Sequence, residues 1–205
     1  MARPVGANAE ATRAKVRREA ARLFAERGVG GTPMRVIAQA CGVTSATVHH
    51  YFGSKEDLYR TVVEAMYVEL DSLRVELSGA LGSACGGLGA ILDEAVRRLF
   101  RFALQHDSTV RMLLRNAIET GELDPERRQE VHLPFLSDLS VALEQIAGLP
   151  AARTRLAIQS INHLIVRYAL TTPEELGLIA GVPADQALAI IEEHLVQTAR
   201  TLIGL

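Results

Sequence analysis

Alternating runs of β-branched residues are missing from this chain of 205 residues, and aromatics make up only 4% of it. The first absence argues against a sheet protein. Its two cysteines, Cys41 and Cys85, stand far apart with no metal-type spacing, which excludes a disulfide scaffold or zinc ribbon and fits a reducing cytoplasm. No uninterrupted apolar run approaches the roughly eighteen residues of a membrane span. Nor does a basic-then-apolar leader open the chain, so the expected location is cytoplasmic, with no membrane partner. The signatures GxSxG, HExxH, GxGxxG and the phosphate loop are absent. Metal chemistry on a helical bundle calls for Glu three residues before His. Here Ala103, Gln129, Ser160 and Ile191 precede His106, His132, His163 and His194. The expectation is therefore no enzyme, no catalytic residue, no metal site and no cofactor.

What remains is 48% hydrophobic and 22% charged, with glycines and prolines clustered between stretches rich in Ala, Leu, Arg and Glu. That pattern reads as all-α. Charge is distributed unevenly. Residues 1–60 hold ten Lys/Arg against five acids, a local balance of +5, and the rest holds twelve bases against nineteen acids, or −7. A basic first third on an acidic body suggests an anionic partner at one end, most simply nucleic acid; chance segregation of solvated charge is the plain alternative.

Residues 1–9 lack periodicity and read as a loose arm. Val16, Ala20, Leu23 and Phe24 then share one helical face, and Gly28 is placed to end that helix. Thr32 and Pro33 suggest an N-cap and first helical residue for a short helix through Cys41, and Thr44 is the N-cap candidate of the next, through His50. Ser54 and Asp57 form a capping-box variant that opens a long helix running to Leu77. Further helices are expected at about 88–105, 108–120, 124–147 with a kink before Pro134, 150–170 and 184–203. A domain boundary near 56/57 divides a small head (10–56) from a larger helical part (57–205).

The two short helices meet at Gly42-Val43, the spacing of a helix-turn-helix. Ile37, Ala38, Val43, Val48 and Phe52 would pack inward, leaving Ser45, Ala46, Thr47, His49, His50 and Tyr51 outside. A helix that enters the major groove needs small, hydroxyl-bearing residues at its tip and larger groups that reach phosphates at its flanks. Ser45 and Thr47 suit the first role, and His49, Tyr51 and Lys55 the second. His50 either shares that surface or only covers the helix. Cys41 falls on the inward face, as a small buried hydrophobe.

Residues 12–58 also resemble the N-terminal DNA-binding region of TetR/AcrR-type transcriptional regulators. The matching elements are Leu23-Phe24, Gly28, Thr32, Ile37-Ala38, Gly42-Val43-Thr44, Thr47, Tyr51-Phe52, Lys55-Glu56 and Leu58. The resemblance implies base or groove contacts from Arg35, Ser45, Ala46 and Thr47, and phosphate contacts from Thr44, His49, Tyr51 and Lys55. Three positions depart from the commonest pattern: Ser45 stands where lysine is frequent, Ala46 where glycine is, and His49 where tyrosine is.

A head this small reads few base pairs alone, so a homodimer on two half-sites of operator DNA is expected. The apolar stripes Leu156, Ile161, Leu164 and Tyr168, and Leu188, Ile191, Leu195, Ala199 and Leu202, are the candidate interface. Both stripes could instead pack inside one subunit. The resemblance further implies a small-molecule effector held among the middle helices, with Tyr67, Phe102, Met112, Asn116, Phe135, Asn162 and His163 as candidate lining. The alternative function keeps the helix-turn-helix fold but acts through protein partners.

Overall fold

The computed structural model describes residues 5–82, 87–121 and 148–205, together with residues 129, 133, 136, 137, 140, 141 and 144. Most of the expected helix at 124–147, with its kink at Pro134, and Cys85, His132 and Phe135 lie outside the described residues. The described residues form helices joined by short turns, with no strand among them: α1 (Val5–Arg27), α2 (Met34–Cys41), α3 (Ser45–Phe52), α4 (Lys55–Gly82), α5 (Gly87–Gln105), α6 (Asp107–Thr120), α7 (Ala151–Ala169), α8 (Pro173–Ala180) and α9 (Ala184–Ile203). The fold is all-α. No helix among the described residues is long and apolar enough to cross a membrane, and they hold no group of three or more His, Cys, Asp or Glu that could bind a metal ion. Helix α1 begins at Val5, so the stretch read as a loose arm is helical over its second half.

The chain divides into two compact units, residues 1–71 with 108–122, and residues 72–107 with 123–205. The first is larger than the expected 10–56 head. Its core joins Val16, Leu23 and Phe24 of α1, Ile37 and Ala38 of α2, Val48 and Phe52 of α3, Leu58, Val62 and Val63 of α4, and Met112 of α6. Arg115 of α6 donates from Nη1 to Glu26 O at 2.9 Å, placing a cation at the carboxyl end of α1 where the helix dipole favours one. One expectation is corrected here. Thr32 does not cap α2: its buried hydroxyl donates toward Gly28 O at 2.8 Å and Leu23 O at 3.2 Å, tying off α1, and Pro33 occupies the N-cap position.

The second unit packs α5, α7, α8 and α9 around Val96, Phe100, Ile165, Leu176, Ile191, Leu195 and Val196. Ion pairs join α5 to α9. Arg200 holds Asp93 with two bonds of 2.7 and 2.6 Å, and Arg97 reaches Glu192 at 2.9 Å and Glu193 at 2.6 Å. The bond from Arg200 holds the Asp93 carboxyl below its ordinary range. Burial pushes Glu192 up, but bonds from Arg101 and Arg97 outweigh it, and that carboxyl also lies below the usual value. Depressed carboxyl pKa values stabilise the fold above the unfolded-state value, and the benefit disappears as pH falls through the folded one. Melting temperature should therefore fall as pH drops below about 4, and Asp93→Asn should flatten part of that fall.

Helix α8 was not expected. Thr172 caps it, accepting from Glu175 N at 3.3 Å. Its exit repeats the turn between α2 and α3. Gly42 and Gly181 both adopt the left-handed conformation (φ 68° and 69°), and Val43 N and Val182 N each donate back at 3.0 Å, to Ala38 O and Gly177 O. Residues with a Cβ rarely adopt that conformation, so the same Gly-Val pair makes the same reversal twice.

Candidate nucleic-acid interface

Helix α3 is set by its ends. Thr44 Oγ1 accepts from Thr47 N at 3.1 Å and sits 2.9 Å from Thr47 Oγ1, so the N-cap and the third residue of α3 share one hydroxyl pair at the tip. This ties the Thr47 hydroxyl in place. Val48 and Phe52 are buried beneath, while Ala46, His49 and His50 are exposed and Ser45, Thr47 and Tyr51 half-buried. The inward and outward faces of α3 thus fall where the helical period puts them. Arg35 is exposed on α2.

The flanks carry rings and cations. Tyr51 meets Phe52 edge-on at 6.4 Å and lies 5.5 Å from the His50 ring, and the Arg13 guanidinium sits 5.1 Å from the Tyr51 centroid. Arg13 went unnoticed in the sequence, because nothing in α1's periodicity says which outward residue faces α3. Lys15, by contrast, is spent on structure. Its Nζ donates to Cys41 O at 2.9 Å and so caps α2. Burial pushes the Cys41 thiol up, which suits a core residue and not a reactive thiolate. His49 is bound to its own helix end, with Nδ1 2.9 Å from Gly53 O.

Lys55 opens α4, half-buried, beside a reciprocal cap. Ser54 N donates to Asp57 Oδ2 at 3.1 Å and Asp57 N donates to Ser54 Oγ at 3.0 Å, the arrangement that the Ser54–Asp57 spacing predicts. The Ser54 hydroxyl and amide hold the Asp57 carboxyl below its ordinary value. Chemically, then, one surface combines a small hydroxyl tip, flanking aromatic rings and cations. A duplex offers the complement: base edges for the tip and phosphates for the flanks. The α8–α9 turn has the same backbone but places Glu174, Glu175 and Asp185 in its first helical turns, the wrong sign for a polyanion.

The described residues suggested as pocket lining are divided between the two units. Met112 is buried in the core of the first unit, and Tyr67 packs against that same core. Phe102 stacks on His106 in the second unit, with ring centroids 4.3 Å apart. Asn116 is half-buried on α6. Asn162 and His163 are both exposed on α7, His163 paired with Gln159 at 2.9 Å. The interface stripes divide similarly. Ile191, Leu195 and Ala199 are buried in the core of the second unit. Ile161, Leu164, Tyr168 and Leu188 pack half-buried against that core, and Leu202 against a smaller cluster with Ile203. Leu156 is 70% exposed, and the outward apolar residue on α9 is Ile190, at 42%.

Residues 16–62 match the family model described as bacterial regulatory proteins, tetR family. The HTH-type transcriptional regulator AcrR of Shigella flexneri is 34% identical over 76 residues, 37% of this chain and 35% of that protein. This chain thus aligns with only about a third of that relative. The HTH-type transcriptional regulator BetI of Rhizobium meliloti (strain 1021) is 28% identical over 175 residues, 84% of this chain and 67% of that one. Among solved structures, a TetR-like transcriptional regulator from Rhodococcus sp. RHA1 superposes over 100% of both chains with a TM-score of 0.63 at 18% identity, a likeness of fold.

Proposed function

Since the chain belongs, by its N-terminal DNA-binding domain, to the TetR family of bacterial regulatory proteins, we propose that it is a cytoplasmic, homodimeric transcriptional repressor that a small molecule releases from its operator. The observation that carries the reading is the tip of α3. Thr44 and Thr47 hold a hydroxyl pair there beside exposed Ala46, on a domain whose segment carries a net positive charge. In this reading Arg35, Ser45, Ala46 and Thr47 meet base edges. Thr44, Tyr51 and Lys55 meet phosphate, with Arg13 added to that set.

Two heads carried by a dimer would reach half-sites about 34–36 Å apart. Helices α7 and α9 supply the outward apolar residues Leu156 and Ile190 for that contact. Selection of duplexes from a random pool, followed by salt titration of the winner, tests the proposal. A two-fold site should emerge, with affinity falling steeply as salt rises. A pool that shows no enrichment sinks it.

Two substitutions refine the assignment. Arg35→Ala should relax preference at one base pair of each half-site by about 5- to 150-fold and leave the others unchanged. Arg13→Ala should instead weaken all duplexes alike, by a few-fold, and reduce the salt slope by about one per head. Fluorescence anisotropy at three salt concentrations separates the two patterns.

A further inference from the structure

His49 lies on the same face of α3 as Ser45 and Ala46, four and three residues earlier, the small residues that let the helix approach base edges. Its backbone carbonyl and its ring are each tied to the same residue, Gly53. Gly53 N–H donates to His49 O at 2.8 Å, and His49 Nδ1 lies 2.9 Å from Gly53 O. A carbonyl oxygen only accepts, so the ring proton in this pair resides on Nδ1. In the neutral ring Nε2 is then a bare acceptor on an exposed residue. Phosphate oxygens are acceptors too, and such a ring has no hydrogen to give them. The major groove does offer donors: the N4 amine of cytosine and the N6 amine of adenine.

We propose that His49 is a specificity-determining residue, accepting at Nε2 a hydrogen bond from the exocyclic amine of one cytosine or adenine in each half-site, and is not a phosphate clamp. This rests on the reading of α3 as a groove-entering helix. It departs from the phosphate role that the family resemblance implies for this position. The difference lies in the side chain: a tyrosine hydroxyl can donate to phosphate, whereas an imidazole whose only proton is tied to Gly53 O cannot.

The test uses the full chain and the selected duplex, with every base pair of one half-site varied in turn, on the alkaline side of neutrality where free imidazole carries one proton. Wild type should disfavour loss of one particular C or A by about 5- to 150-fold. Substituting 2-pyrimidinone for that cytosine, or purine for that adenine, deletes the amine without adding bulk and should cost wild type the same factor. His49→Phe, checked for unchanged helix content, should lose that discrimination alone and keep the salt slope. A uniform loss of affinity with a slope reduced by about one would show a phosphate contact and overturn the proposal. So would a His49→Phe protein whose base preferences match wild type. Failure of the selection to yield any preferred sequence would instead overturn the DNA-binding reading itself.

Discussion

A protein carrying Leu156→Asp together with Ile190→Asp is expected to sediment as a folded monomer and to bind its operator at least about 100-fold more weakly than wild type. The expectation follows from where the two side chains point. Leu156 on α7 and Ile190 on α9 are 70% and 42% exposed, and neither belongs to a core of the subunit. Replacing them therefore leaves the monomer's own packing intact. In a two-fold interface each substitution appears twice, so four carboxylates would have to be buried without partners. Each unpaired buried charge costs several kcal/mol, enough in sum to dissociate an ordinary dimer at micromolar concentration. Operator affinity then falls because each head must find its half-site alone and the effective concentration supplied by the second head is lost. Analytical ultracentrifugation and anisotropy on one preparation read both effects. A double variant that still sediments as wild type would remove the proposed interface from this face. The first place to look is α8, where Leu178 and Ile179 are 85% and 59% exposed.

The contrast between the two apolar stripes shows how far periodicity reaches. Leu188, Ile191, Leu195, Ala199 and Leu202 share a face, and that face was legible. What covers it was not. Periodicity gives the direction of burial relative to the helix axis, but a stripe buried by α5 and one buried by a second subunit look alike in sequence. The head was more readable because its signals are local. Gly42, Thr44 and the Ser54–Asp57 pair each act within a few residues, and each does what its spacing implies.

Thr32 was read as a cap because Thr-Pro often starts a helix. Its hydroxyl had the alternative of bonding back to Leu23 O and Gly28 O, and burial at the α1–α2 corner made that the better use. Thr172-Pro173 carries the same signal and does open a helix, the eight-residue α8. Arg13 over Tyr51 and the placement of Met112 depend on contacts distant in sequence. No local rule reports those.

Met112→Ala is expected to destabilise the DNA-binding unit by about 2–5 kcal/mol, the range for truncating a well-buried methionine. Met112 is 2% exposed and sits among Phe24, Ile37, Leu58 and Val62, although about fifty residues separate it from the last of these. Arg115, one turn further along α6, ties the same helix to the Glu26 carbonyl. The head is thus completed by a segment that sequence order assigns to the other part of the chain. Native-state hydrogen exchange should show the loss of protection in α1 through the start of α4, and operator binding should weaken as temperature rises toward the lowered midpoint. Leu114→Ala on the same helix is the control. That residue is 36% exposed, and its truncation should cost about 1 kcal/mol or less. Equal effects from the two substitutions would mean that α6 is not part of the head's core. A large effect from Met112 alone would mean that any displacement of α6 acts directly on the stability of the domain that holds α3.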